Sequence, residues 1–277
     1  MQSSFGGQMS VVGVGGPRFA ENIARMTGGD FDIDFHEPGA LVPALEVFDA
    51  VSKGSIEAAW TSAGYHVAKI PSLAFFTAVP FGPAAGEYLA WLHYGGGLDI
   101  YREVYDQNDI VGMPCNILAP EASGWFQDEI MSTEDLKGMK MRFFGLGAKV
   151  MQKMGVSTQL LAPGDIFPAL ERGVIDATEL ATPSIDLGLG LHQVAKHYYF
   201  PGWHQQTTVL ELLVNKDQWN ELPDPYRTIV EVACGDGVNW GFVRSEAVQY
   251  PALQQLKDQG VVIHRWSDAT LDALEAA

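Results

Sequence analysis

The sequence predicts an α/β protein built from two similar lobes, and three observations carry that reading. Strand-like and helix-like stretches alternate along most of the chain. A helix–glycine–strand segment occurs twice, as FDAVSKGSIEAAW at 48–60 and FPALERGVIDATE at 167–179. The 277 residues also exceed the ~100–150 residues that one core usually organises. In the repeat, Phe167 stands on Phe48, Ala169 on Ala50, Arg172 on Lys53, Gly173 on Gly54, Ile175 on Ile56 and Ala177 on Ala58. Each copy reads as a helix, a glycine suited to positive φ at its end, and a strand leading to the carboxyl edge of a sheet. Ligands of open α/β sheets bind at that edge. Two lobes facing each other across a cleft follow, with residues 1–120 and about 207–240 in the first. The second takes 121–206 and about 241–277.

The elements follow in order. After an opening strand at MQSSF, PRFAENIARMTGG reads as a helix with Pro17 at its first position and Phe19, Ile23 and Met26 inward. FDIDFHE alternates, as a strand does. Residues 41–53 make a helix halted by Gly54, SIEAAWTSA a strand, and AAGEYLAWLHYGGGLDIYREVYDQN a helical stretch. In STEDLKGMKMRFFG a capped turn, begun by Ser132 or Thr133 and ended by Gly138, precedes a strand. AKVMQKMG is a helix, VSTQLLAP a strand, DIFPALERG a helix and VIDATELA a strand. TTVLELLVNK is a strand of strong β-formers, and 223–260 has helical periodicity interrupted near Gly235–Gly237.

Composition removes several functions. A formal charge of −17 disfavours nucleic acid and anionic membranes, which reward the basic patches this chain lacks. No apolar run approaches the ~20 residues that cross a bilayer. Cys115 and Cys234 lack metal spacing and fit a disulfide, two buried thiols, or one of each, buried thiols being favoured. Both ends read as cut, one within a strand and one within a helix, so a removed signal peptide is expected.

Arg142 is the first candidate for binding. It lies in MKMRFFG, where Met141 and Phe143 face one side of the strand while Lys140, Arg142 and Phe144 face the other. The strand breaks at Gly145 and Gly147 before a helix whose N-terminal N–H groups favour an anion. A guanidinium matches a carboxylate with two parallel hydrogen bonds; the plainer alternative is a surface arginine paired with a neighbouring acid. One charge-assisted hydrogen bond contributes about 1.5–3 kcal/mol, whereas micromolar affinity needs about 8 kcal/mol. Aromatic walls must supply the rest, and Phe144, Tyr65 and Trp203 sit at strand ends or loops suited to this, core packing being the alternative for each.

LKGMKMRFFGLG, APGDIFPALERGVIDATE and HYYFPGW, with AVSKGSIEAA, FTAVPFG and WLHYGGG, are similar to segments of one family. The sequence resembles the extracytoplasmic solute receptors of tripartite ATP-independent periplasmic (TRAP) transporters, within them the subgroup for 2-oxo acids and related monocarboxylates. The resemblance implies a two-lobed periplasmic binding protein fold, a mostly parallel sheet in each lobe, and a long helix crossing both, here 223–260. It implies a periplasmic protein, not membrane-embedded, that closes on an organic acid and hands it to TRAP membrane subunits; some relatives form homodimers. Arg142 takes the place of the family's carboxylate-binding arginine. Glu179, whose counterpart in the first repeat is Trp60, takes that of an acid that helps hold a small cation beside the ligand. The Leu180 carbonyl and a polar side chain after PGW assist it. The pattern departs at Leu180, where relatives carry Trp, at Gln205, where they carry Glu, and at Glu121, where Gln is expected. Like charges 4 Å apart repel by roughly 4 kcal/mol at an effective dielectric near 20. Glu179, Glu121 and an anion around Arg142 therefore call for Na⁺ or Ca²⁺, a protonated carboxyl, or a Glu121 turned to solvent.

Two rival readings stand beside this one. An enzyme would need a base such as His36, beside Glu37, yet no nucleophile elbow, His-x-x-x-His pair or phosphate loop accompanies it. A sensing receptor for an amino acid or aromatic acid would use the same fold, with Glu179 meeting an ammonium group.

Overall fold

In the computed structural model, which describes all 277 residues, the chain opens with β1 (Gln2–Ser3) and α1 (Gly15–Met26). Then come α2 (Val47–Ser52), β2 (Ala58–Thr61), α3 (Ala85–Tyr94), α4 (Gly97–Asp106) and β3 (Ile110–Leu118). The middle holds β4 (Gly124–Phe126), β5 (Lys140–Arg142), α5 (Gly145–Lys153), β6 (Ser157–Gln159), α6 (Pro163–Glu171), β7 (Ala177–Thr178) and α7 (Pro183–Gly188). The chain finishes with β8 (His197–Phe200), β9 (Thr208–Asn215), α8 (Lys216–Glu221), α9 (Asp224–Asp258), β10 (Val262–Arg265) and α10 (Asp268–Ala276). Contacts gather these into two compact units. The first is Met1–Thr77, Ala85–Leu118 and Thr208–Ser245; the second is Ala78–Ala84, Ala119–Thr207 and Glu246–Ala277. The 35-residue α9 contributes to both. Segment Ala78–Ala84 joins the second unit because the Phe81 N–H donates to the Trp203 carbonyl at 2.7 Å and their rings stack at 5.8 Å.

The repeated device takes the anticipated shape. Gly54 after α2 and Gly173 after α6 both adopt φ of 67°, a left-handed backbone that a Cβ would strain. Each glycine turns the chain from a helix into a strand, β2 in one unit and β7 in the other.

In the first unit the sheet order is β1-β2-β9-β3, with β1 and β2 parallel and β9 antiparallel to both its neighbours. Val47, Phe48 and Val51 of α2 meet Tyr101 and Tyr105 of α4 and Leu213 of β9 in its core. The carboxylate of Glu211, 1% exposed, accepts from the Tyr101 hydroxyl at 2.8 Å and the Tyr105 hydroxyl at 2.7 Å. In the second unit the order is β10-β8-β4-β7-β5-β6, parallel except where β4 meets β7 and β8. Adjacent residues divide between two cores, Trp125 and Tyr198 into one, Phe126 and Tyr199 into the other, so the sheet is covered on both faces.

Several expectations change. FDIDFHE alternates in burial yet forms only one bridge, His36 to Gln2, because β1 is too short to pair along it. The helix expected over 41–53 begins only at Val47. α9 runs unbroken through Gly235–Gly237. Gly237 is there for proximity: a Cβ on it would stand 2.2 Å from the Cys115 carbonyl oxygen. At that approach Cys115 and Cys234 are paired in a disulfide, which corrects the preference for free thiols. β3 carries Pro114 beside a register shift, which is where an edge strand tolerates proline.

Burial raises the Glu211 carboxyl to about 7, against the two tyrosine hydrogen bonds that lower it. The folded state thus holds a proton that the unfolded state has released, and this contribution is complete below about pH 4.5 and lost as pH rises through 7. Between pH 5 and 8 urea-unfolding stability should fall, and Glu211→Gln should remove roughly 2–4 kcal/mol of that decline.

Candidate functional site

Arg142 ends β5, between β6 and β7. Its strand neighbours Met141 and Phe143 are anchored in the core, as the alternation implies, and Arg142 itself is 1% exposed. A guanidinium so deeply placed must be hydrogen-bonded. Its Nη1 donates to the Glu179 carbonyl at 2.8 Å and to the Glu179 carboxylate, while Nε donates to the Leu161 carbonyl at 3.3 Å. The backbone reinforces the pair, since the Glu179 N–H donates to the Arg142 carbonyl at 3.1 Å. The Phe144 N–H also serves the Glu179 carboxylate, and the guanidinium carbon stands 5.9 Å from the Phe144 ring centre.

A second acid and a histidine complete the surroundings. Asp186 on α7 accepts at Oδ2 from Trp125 Nε1 at 2.8 Å and the Tyr198 hydroxyl at 2.7 Å, while its buried Oδ1 has no hydrogen-bond partner. His204 places Nε2 3.8 Å from a Glu179 oxygen, its ring packed on Phe143 and Trp203. Burial raises Glu179 to about 7 against the opposing Arg142 charge, and raises Asp186 to about 6. Burial also lowers His204 to about 3, so it is neutral at physiological pH. One fixed positive charge therefore serves two buried acids.

Glu121 and Gln205 lie against each other. Gln205 Nε2 donates to Glu121 Oε1 at 3.3 Å, and the Glu121 N–H donates to the Gln205 carbonyl at 3.2 Å. Both are 2% exposed, so Glu121 does not point to solvent. Amide and carboxylate thus form one contact.

Other nominated residues are placed differently. Trp203 belongs to the core with Phe81 and Phe143, so packing accounts for its burial. Leu180 is half-buried against the other core of the second unit. Tyr65 is in the first unit, 8% exposed, its ring 5.7 Å from that of Phe5. No three His, Cys, Asp or Glu side chains gather so as to hold a metal ion. Asp186 was missed by sequence reasoning, because TPSIDLG carries no motif and only the sheet brings Trp125 and Tyr198 to it.

The family model described as bacterial extracellular solute-binding protein, family 7, matches residues 4–277. The chain belongs to that family. A monocarboxylate 2-oxoacid-binding periplasmic protein of Nostoc sp. is 39% identical over 262 residues, covering 95% of this chain and 72% of that protein. A TRAP transporter solute-binding protein from Bordetella bronchiseptica, solved as a mixed-occupancy dimer with copurified calcium and picolinate, matches with a TM-score of 0.97. It is 35% identical over 100% of this chain and 82% of that one. A TRAP periplasmic solute-binding protein from Colwellia psychrerythraea, solved with calcium and pyruvate, has a TM-score of 0.94. It is 32% identical, covering 99% of this chain and 84% of the other. The family-7 chain is thus an extracytoplasmic solute receptor of the TRAP type and not an enzyme. None of its helices is long and apolar enough to cross a membrane.

Arg142→Met should leave Glu179 buried without its counter-charge. At pH 8, urea unfolding should show a loss of about 3–5 kcal/mol. At pH 5, where Glu179 holds a proton, the loss should be smaller.

Proposed function

We propose that this receptor binds a small monocarboxylate of the 2-oxo acid class and delivers it to TRAP membrane subunits, its two compact units acting as the receptor's lobes. The observation that carries the proposal is the buried guanidinium of Arg142. The hydrogen bonds it makes use Nη1 and Nε, leaving the Nη2 hydrogens for a solute oxygen. A two-armed grip on the solute requires Glu179 to yield Nη1, a step eased by a Glu179 carboxyl that titrates near 7. Phe144 supplies apolar contact beside the guanidinium, and Trp203 acts by positioning His204. The engagement of Glu179 by Arg142 argues against an amino acid, whose ammonium would need that acid for itself.

A carboxylate solute adds negative charge where Glu179 and Asp186 already outnumber one guanidinium. The oxygen donors present suit a hard cation. Glu179 and Gln205, with Glu121 beside them and the Leu180 carbonyl, would hold Na⁺ or Ca²⁺, which would supply the missing positive charge. The calcium in the Bordetella and Colwellia proteins, and the pyruvate in the latter, support this reading. The Bordetella dimer likewise supports a homodimeric receptor.

In a thermal-shift panel of small carboxylates, a 2-oxo acid such as pyruvate should raise the unfolding temperature. Arg142→Lys, which keeps the charge and loses the planar fork, should weaken calorimetric affinity about 10–100-fold. Indifference to every acid in the panel would remove the proposal. In chelated, sodium-free buffer the affinity of the unaltered protein should fall at least about tenfold; an unchanged value would remove the cation while leaving the acid.

A further inference from the structure

β8 and β10 run parallel at the opposite end of the second unit's sheet order from β5, and they bring together two histidines with no part in the solute site. His197 Nδ1 lies 2.9 Å from His264 Nε2. The other nitrogen of His264, Nδ1, stands 3.6 Å from a Glu129 carboxylate oxygen. The register sets Val262 beside His197 and His264 beside Tyr199, so the two imidazoles are diagonal neighbours. Tyr199 stacks on the His264 ring, centroids 4.5 Å apart and planes within 11°. Its hydroxyl accepts from the Ile130 N–H at 2.7 Å and donates to the Ile130 carbonyl at 3.2 Å, fixing the ring that fixes His264. His264 keeps 16% of its side chain exposed and Glu129 50%, so an ion in solution can reach the pair.

We propose that His197 and His264 form a binding site for a borderline divalent transition-metal ion such as Ni²⁺ or Cu²⁺, with Glu129 orienting His264. Two nitrogens bound cis at ~2.05 Å and 90° stand about 2.9 Å apart; a tetrahedral pair stands about 3.3 Å apart. The existing separation matches the first arrangement, so an ion enters with little movement of either ring. Binding needs a lone pair on both facing nitrogens. The tautomers with His197 protonated at Nε2 and His264 at Nδ1 supply both lone pairs with no net proton release, and the His264 Nδ1–H then faces the Glu129 carboxylate 3.6 Å away. A carboxylate behind a metal-bound imidazole is the arrangement that sets its tautomer and strengthens it as a ligand. No third acid, cysteine or histidine joins the pair in metal-holding geometry, so water completes the coordination and the ion exchanges readily. The all-nitrogen pair also separates this site from one for Na⁺ or Ca²⁺, which take oxygen donors.

Calorimetry of tag-free, chelator-treated protein with NiCl₂ tests the proposal. Saturable one-to-one binding with a dissociation constant below about 100 µM is expected. His197→Asn and His264→Asn should each weaken it at least about tenfold, and Glu129→Gln by about three- to tenfold. Far-UV circular dichroism identifies any variant that fails to fold. In the unaltered protein, Ni²⁺ should broaden the imidazole resonances of His197 and His264 before those of the other histidines. No saturable binding by about 1 mM Ni²⁺ would overturn the proposal. So would unchanged binding in the folded double variant, or displacement of Ni²⁺ by equimolar Ca²⁺.

Discussion

A single buried guanidinium constrains the second unit. Arg142 cannot leave water without partners, and those it finds are the backbone and side chain of Glu179 and the carbonyl of Leu161. Those partners lie on segments flanking β5, so one charge ties together the ends of β6, β5 and β7 where the sheet's carboxyl edge opens. The neutral His204 and the partly satisfied Asp186 then leave the site short of positive charge. An anionic solute placed at Arg142 would have to bring a cation or a proton with it, or displace Glu179 from the arginine. Binding an acid is consequently a problem of charge balance as much as of shape.

The repeated segment explains why this happens in one unit and not the other. The same helix, left-handed glycine and strand end at Trp60 in the first unit and at Glu179 in the second. Trp60 is sealed in, its Nε1 donating to the Val12 carbonyl at 2.9 Å. Glu179, at the equivalent place, meets a guanidinium. One copy of the device became packing and the other became chemistry, with the backbone shared.

The repeated device was legible because it rests on local chemistry, a glycine at a helix end; helical periodicity marked 223–260, but a long helix there came from the family resemblance, and the burial of Arg142 was left open. The short strands were not. β4 has three residues and β7 two, and their pairing depends on partners distant in sequence. The interruption expected near Gly237 reflects the same limit. A glycine that reads as a helix breaker is in fact where α9 must pass the Cys115 backbone, a demand visible only in three dimensions. Asp186 illustrates it at the site, since nothing within its own helix distinguishes it from a surface acid.

The contact between Glu121 and Gln205 shows how a buried amide can serve a buried carboxylate. A carboxylate buried without such a partner would bear its full desolvation cost. Here one amide and one carboxylate touch, with the donor on the PGW loop and the acceptor before β4. The contact fixes where that carboxylate stands. A fixed carboxylate acts on a solute through where its charge lies as well as through its presence, so with an acid held at Arg142 the Glu121–Gln205 contact would be a physical means of choosing among acids.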